Sequence, residues 1–316
     1  MFVVGCPRSG TTLLRRMLDS HPLLAVSNDP HFIHYVVARF GQTANGRMNP
    51  AIVDSLLAYR AFGRLGLGES EVRDAAASSP SFPEFVSRLY SSYALREAKA
   101  VAGEKTPRYV RFLPLLDSFF PWAKFVHIVR DGRDVALSTL DWAKPDRGPG
   151  RFRLWQSEPV VTCALSWRWH VTTGKRDGRL FGPARYLEVR YEDLVAEPEA
   201  TLHSIASFLE LPFAPEMLAY HDGKVRREPG LSSKSRWLPP TSGLRDWRTQ
   251  MESRDVELFE AVAGDLLAAL GYDRACEAIS REIVELATTS RRSWEAEVTA
   301  RRAPASRLDL SIEATA

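Results

Sequence analysis

The residues best suited to chemistry lie near the start of the chain, where Gly5-Cys6-Pro7-Arg8-Ser9-Gly10-Thr11-Thr12 sets two glycines around an arginine. Glycine lets a backbone approach an anion closely. The amides of Gly10, Thr11 and Thr12, at the start of a helix, would face that anion with about half a positive charge. The glycine spacing is that of a Walker loop, but Thr11-Thr12 stand where its lysine would be, and the cation sits inside the loop at Arg8. A Walker lysine reaches the β- and γ-phosphates of a triphosphate. Its absence points to a donor with a single 5′-phosphate at the loop and a charged group near Arg8.

A second anion site is expected in Arg130-Asp131-Gly132-Arg133-Asp134-Val135-Ala136-Leu137-Ser138. The planar fork of Arg130 suits a phosphate, and the Ser138 hydroxyl, on the helix that follows, supplies a further hydrogen bond. Arg133 and Asp134 are expected to form a structural pair. Between the two sites lie Asp29 and His31, in the loop Ser27-Asn28-Asp29-Pro30-His31-Phe32, and Lys105, in Glu104-Lys105-Thr106-Pro107. A carboxylate or imidazole can take a proton, and a lysine can stabilise negative charge as it develops.

These residues need strand ends to carry them. Phe2-Val3-Val4-Gly5 reads as a β-strand, and Leu14, Met17 and Leu18 have helical spacing. Leu23 to Val26 makes a second strand, Ala100 to Gly103 a third, and Lys124 to Val129 an apolar fourth suited to a sheet covered on both faces. Ala184 to Val189 reads as the last core strand, followed by Arg190-Tyr191-Glu192-Asp193-Leu194. Residues 33–98 read as a helical insert, and helices are expected near 197–210, near 252–270 and beyond Asp273. In open α/β sheets, ligands bind outside the carboxyl ends of the strands, where all these loops fall.

Composition bounds the rest. At 316 residues and 45% hydrophobic content, the chain can bury a large α/β core. No run approaches the ~20 apolar residues of a membrane span, and a strand at Phe2 leaves no signal peptide, so a cytoplasmic protein with no membrane partner is expected. Three scattered cysteines and seven histidines without ligand spacing argue against a metal or disulfides. A net charge of +3 is too small to argue for nucleic-acid binding, although Lys224 to Arg248 is a basic stretch.

Taken together, Pro7-Arg8-Ser9-Gly10-Thr11-Thr12, Arg130-Asp131-Gly132-Arg133 through Ser138, and Arg190-Tyr191-Glu192-Asp193-Leu194 resemble the motifs of sulfotransferases that use 3′-phosphoadenosine 5′-phosphosulfate (PAPS). The likeness is to the branch holding tyrosylprotein and bacterial small-molecule or carbohydrate sulfotransferases. It implies a P-loop-like α/β fold: a parallel sheet with helices on both faces, helical insertions and a C-terminal helical extension. The expected division is a sulfotransferase domain over 1–272 and a C-terminal helix and tail over 273–316.

On matching positions, the resemblance gives Arg8, Ser9, Gly10, Thr11 and Thr12 to the 5′-phosphosulfate and Arg130 and Ser138 to the 3′-phosphate. Tyr191, Ser233, Lys234 and Arg236 complete the pocket for PAPS or its product PAP. It makes Lys105, with Arg8, the stabiliser of transferred charge. Asp29 stands where the branch usually has a glutamate base, and His31 is the other candidate. The expected acceptor is a hydroxyl of a small molecule or glycan precursor, and the expected state is a monomer or homodimer. A metal-dependent kinase and a non-catalytic nucleotide binder on the same scaffold are the rival readings.

Overall fold

The computed structural model describes residues 1–41, 49–142, 152–222 and 243–302. Strands β1 (Phe2–Gly5), β2 (Leu24–Asn28), β3 (Val101–Lys105), β4 (Phe125–Val129) and β5 (Tyr186–Arg190) form one parallel sheet in the order β2-β3-β1-β4-β5. Parallel neighbours require crossovers, and helices supply them on both faces. Helix α1 (Thr11–Asp19) follows β1, while α2 (Phe32–Phe40), α3 (Pro50–Leu57), α4 (Glu69–Ala77) and α5 (Phe82–Arg96) lie between β2 and β3. Helix α6 (Leu113–Phe119) precedes β4. Helices α7 (Gly132–Trp142), α8 (Leu154–Ser157) and α9 (Pro159–Gly178) lead to β5, which α10 (Tyr191–Ala196) and α11 (Pro198–Phe208) follow. Helices α12 (Trp247–Gln250), α13 (Ser253–Ala269) and α14 (Arg281–Arg302) complete the described chain.

Period-two alternation divides the sheet between two cores. Val3, Val26, Val126 and Ile128 pack with Leu14 and Leu18 of α1 and with Leu202 and Ile205 of α11. Phe2, Val4 and Phe125 point the other way, into an aromatic core shared with Phe32, Phe82, Phe85 and Tyr109. Beyond them, Trp167 of α9 and Phe259 of α13 anchor a third cluster, and α14 joins it through Ile283, Ala287 and Trp294. Helix α14 therefore packs on its own chain. Every residue of β4 is buried, as its continuous apolar sequence requires.

Three expected boundaries shift. Strand β2 runs on through Ser27 and Asn28 because they pair with Glu104 and Lys105, which extend β3 by the same length. Strand β5 ends at Arg190, the partner of Val129. Strand β3 begins at Val101 and runs to Lys105.

The expected Arg133–Asp134 pair is corrected. Arg133 is fully buried, and its Nε and Nη2 bind Asp131 at 3.0 and 2.7 Å, while Nη1 binds Glu260 of α13 at 2.7 Å. Asp134 instead pairs with Arg130 one helical turn back, at 3.1 Å. Facing inward at the start of α7, Arg133 can reach α13, whereas Asp134 lies on the face that carries Arg130.

Glu260 also accepts from the backbone amides of Ala275 and Cys276, at 2.8 and 3.1 Å, so one buried carboxylate ties three segments together. Removing one partner of a buried ion cluster leaves a charge uncompensated. Glu260→Gln is expected to lower the unfolding free energy by about 3 kcal/mol in urea denaturation. A loss below ~1 kcal/mol would show that Asp131 alone satisfies Arg133.

Candidate active site

The loop from β1 into α1 keeps the geometry that its glycines imply. Gly10 caps α1 at φ 94°, and a Cβ there would lie 2.3 Å from Cδ2 of Tyr191, so only glycine lets the loop and that ring meet. Arg8 also has a left-handed backbone, at φ 75°. Ser9 and Thr11 are buried, and Thr12 is exposed. Among the described residues, α1 has no side-chain cap hydrogen bond, and its first turn holds no acid. Its N-terminus is therefore suited to an external anion.

The side chain of Arg8 crosses to the second motif. Its Nε donates to Oγ of Ser138 at 3.1 Å, and its guanidinium lies 5.8 Å from the Trp142 ring centre. Burial, with the like charges of Arg245 and Arg130, presses against the charge of Arg8. Arg130 stacks over the Tyr191 ring at 4.2 Å, its carbonyl accepts from the indole of Trp167 at 3.0 Å, and Nη2 binds Asp134. The Nε of Arg130 is buried with no hydrogen-bond partner among the described residues. Sequence distance thus collapses: Arg8, Arg130, Ser138 and Tyr191 share one cluster at the carboxyl edge of β1, β4 and β5.

One strand over, Lys105 ends β3 and is almost fully buried, with Nζ 2.5 Å from Oδ2 of Asp29. Asp29 follows β2, whose last residue, Asn28, pairs with Lys105. Burial opposes the charge of Asp29, but Lys105, His31 and Arg64 outweigh it and hold the carboxyl below its usual range. The other oxygen, Oδ1, is buried without a hydrogen bond and lies 3.6 Å from Nε2 of His31. Burial pushes His31 down to about 4, against the pull of Asp29, so its imidazole is neutral near pH 7. The site therefore holds an ion pair with one unengaged carboxylate oxygen, beside a neutral imidazole.

Other residues of the site carried no readable signal. Arg245 pairs with Asp141 of α7, and the carbonyl of Asp29 accepts from Arg64 Nη1 at 2.6 Å. Arg245 sits in a basic run without a sharp motif, and Arg64 in a helical stretch whose sequence shows no constellation. Ser233, Lys234 and Arg236 lie outside the described residues. Among the described residues there is no group of three or more His, Cys, Asp or Glu that could hold a metal ion, and no helix is long and apolar enough to cross a membrane.

The residues present fit a donor with phosphates at two ends. Arg130 has a buried N–H with no acceptor among the described residues, and the first turn of α1 holds no acid of its own.

Comparison with known proteins gives the family and the fold. A family model described as "Sulfotransferase family" matches residues 1–215. Protein-tyrosine sulfotransferase 1 of Danio rerio is 26% identical over 281 residues, spanning 86% of this chain and 72% of that protein. Protein-tyrosine sulfotransferase 2 of Gallus gallus is 26% identical over 282 residues, spanning 86% and 69%. The sulfotransferase domain of the Synechococcus PCC 7002 olefin synthase superposes with a TM-score of 0.58 at 24% identity, covering 86% of this chain and 94% of that domain.

The depressed His31 has a consequence for stability. Its folded value of about 4 lies below the ordinary 6.5, so the unfolded chain binds the proton more readily, and stability falls as pH drops through that window. Replacing His31 with Gln should relieve about 3 kcal/mol of the loss between pH 6.5 and 4. Denaturant midpoints at several pH values test this. Parallel curves for the two proteins would count against it.

Proposed function

We propose that this chain, which belongs to the sulfotransferase family, transfers a sulfuryl group from PAPS to the phenolic oxygen of a tyrosine in a peptide. The observation that carries the reading is the buried Lys105–Asp29 pair with its unengaged Oδ1, one strand from the Arg8 loop. PAPS, when bound, supplies the sulfuryl group and a phosphate leaving group. In this reading the β1–α1 loop and Arg8 hold the 5′-phosphosulfate, while Arg130, Ser138 and Tyr191 hold the 3′-phosphate. Arg8 then exchanges the neutral Ser138 hydroxyl for an anion, which relieves the repulsion it feels from Arg245 and Arg130.

Asp29 accepts the acceptor's proton on Oδ1 while Lys105, held at Oδ2, steadies the charge that develops on transfer. Both candidate bases are weak, because Asp29 is held below its usual range and His31 near 4. A weak base matches a phenol, with a pKa of about 10, better than an aliphatic hydroxyl, which is far less acidic. The acceptors named by relatives such as the Danio rerio enzyme point the same way. They favour a tyrosine over the small-molecule or glycan hydroxyl expected from sequence. His31 is neutral and can accept a proton, but its depressed basicity and its contact with Asp29 suit it better to shaping the Asp29 charge.

Asp29→Asn is expected to lower kcat by ~10²–10⁴ while PAP affinity stays within about threefold. Lys105→Met should depress turnover by ~10²–10³ with similar retention of PAP. Unchanged turnover in Asp29→Asn would remove Asp29 as the base. Gly10→Ala should instead weaken PAP binding about tenfold or more, because the new methyl drives into the Tyr191 ring. Labelling from radioactive PAPS across tyrosine peptides and hydroxylated metabolites tests the acceptor. Label that reaches only the metabolites refutes the tyrosine assignment.

A further inference from the structure

The two candidate bases sit in a turn that should not hold itself. Asp29 and His31 both have left-handed backbones, at φ 54° and 55°, a conformation that costs a residue with a side chain about 1 kcal/mol or more. His31 caps α2 with no side-chain hydrogen bond of its own, so the first amides of that helix need partners from elsewhere.

One comes from far along the chain. The buried backbone N–H of Ile33, in the first turn of α2, donates at 3.0 Å to the hydroxyl of Tyr109, just beyond β3. A tyrosine hydroxyl that accepts must send its own proton onward, and here it hydrogen-bonds to the carboxyl of Glu104. Glu104 is fully buried, and it also accepts from Thr106 Oγ1 at 2.5 Å and from Tyr90 of α5. Burial pushes its carboxyl up to about 7, so the network holds a buried acid in the core at a cost that packing alone does not require.

The hub flanks Lys105 on both sides. Glu104 and Thr106 are its neighbours in sequence, and the carbonyl of Lys105 accepts from the Asp29 amide at 2.8 Å. The turn bearing Asp29 is thus held at three places: by the Lys105 carbonyl, by Arg64 on the Asp29 carbonyl, and by Tyr109 on the Ile33 amide.

We propose that Tyr109, backed by Glu104, is a positioning residue that holds the Asp29–His31 turn in its strained form and so aims Asp29 Oδ1 at the acceptor oxygen. The proposal rests on the reading of Asp29 as base. It assigns function to residues that touch neither donor nor acceptor. Tyr109→Phe removes one oxygen from a ring that packs in the aromatic core and leaves the Ile33 amide without its acceptor.

The test uses the full chain. In Tyr109→Phe, the Ile33 amide should exchange at least tenfold faster, and the His31 imidazole, titrated by NMR, should move from about 4 up towards the ordinary 6.5. With PAPS and a tyrosine peptide, kcat should fall about tenfold or more while the KM for PAPS and the affinity for PAP stay within twofold. Glu104→Gln, which keeps the shape but disturbs the acceptor of the Tyr109 proton, should shift His31 in the same direction.

An unmoved His31 titration in Tyr109→Phe overturns the proposal. So does a loss of PAP affinity that matches the loss of turnover, since that marks a general loosening. The base reading fails separately: if Asp29→Asn turns over normally while Tyr109→Phe still shifts His31, the turn is held as described but serves another purpose.

Discussion

Repulsion among cations at one edge of the sheet is the constraint to which the rest of the site answers. Arg8, Arg130 and Arg245 come together where β1 and β4 end, and Lys105 lies one strand away at the end of β3. Three have a nearby carboxylate: Lys105 has Asp29, Arg130 has Asp134 and Arg245 has Asp141. Arg8 donates to a neutral serine hydroxyl, and the like charges of Arg245 and Arg130 work against it while Asp141 favours its charge. In a partly desolvated cleft, such charges interact more strongly than in water. An anion placed there would relieve the repulsion that Arg8 meets from Arg245 and Arg130.

The paired carboxylates are anchored in turn by other elements. Asp134 accepts from the backbone of Trp247 at 3.0 Å, and the Trp247 ring covers the buried guanidinium of Arg133 at 3.5 Å. Glu192 accepts from the Asp131 amide and from the hydroxyl of Tyr272, binding the start of α10 to the same brace. The loop after β4 is thereby held by α9, α10, α12 and α13 together. Such over-determination is what keeps an arginine fork pre-organised for phosphate.

The acceptor side is held by a different means. Two left-handed residues on either side of Pro30 store strain, and hydrogen bonds to the Lys105 carbonyl and the Tyr109 hydroxyl and from Arg64 keep them there. The unusual backbone of Asp29, bonded through its amide to the Lys105 carbonyl, brings its carboxylate within 2.5 Å of Lys105 Nζ.

Sequence alone determined the strands, the glycine-flanked loop into α1 and the family. Each depends on local rules: apolar runs, glycine freedom and the pairing of arginine with hydroxyls within a few residues. The Arg133–Asp134 expectation failed because adjacent helical residues point in different directions, and only the packing of α13 decides which partner a buried guanidinium meets. Arg245, Arg64 and Tyr109 were invisible for a related reason. Their roles are contacts between segments brought together by crossovers, and no spacing encodes a hydrogen bond from Ile33 to Tyr109 until β2 and β3 lie side by side. The tertiary structure thus decided which charges neutralise one another and which are left facing the cleft, because both follow from distances in space that the order of residues does not specify.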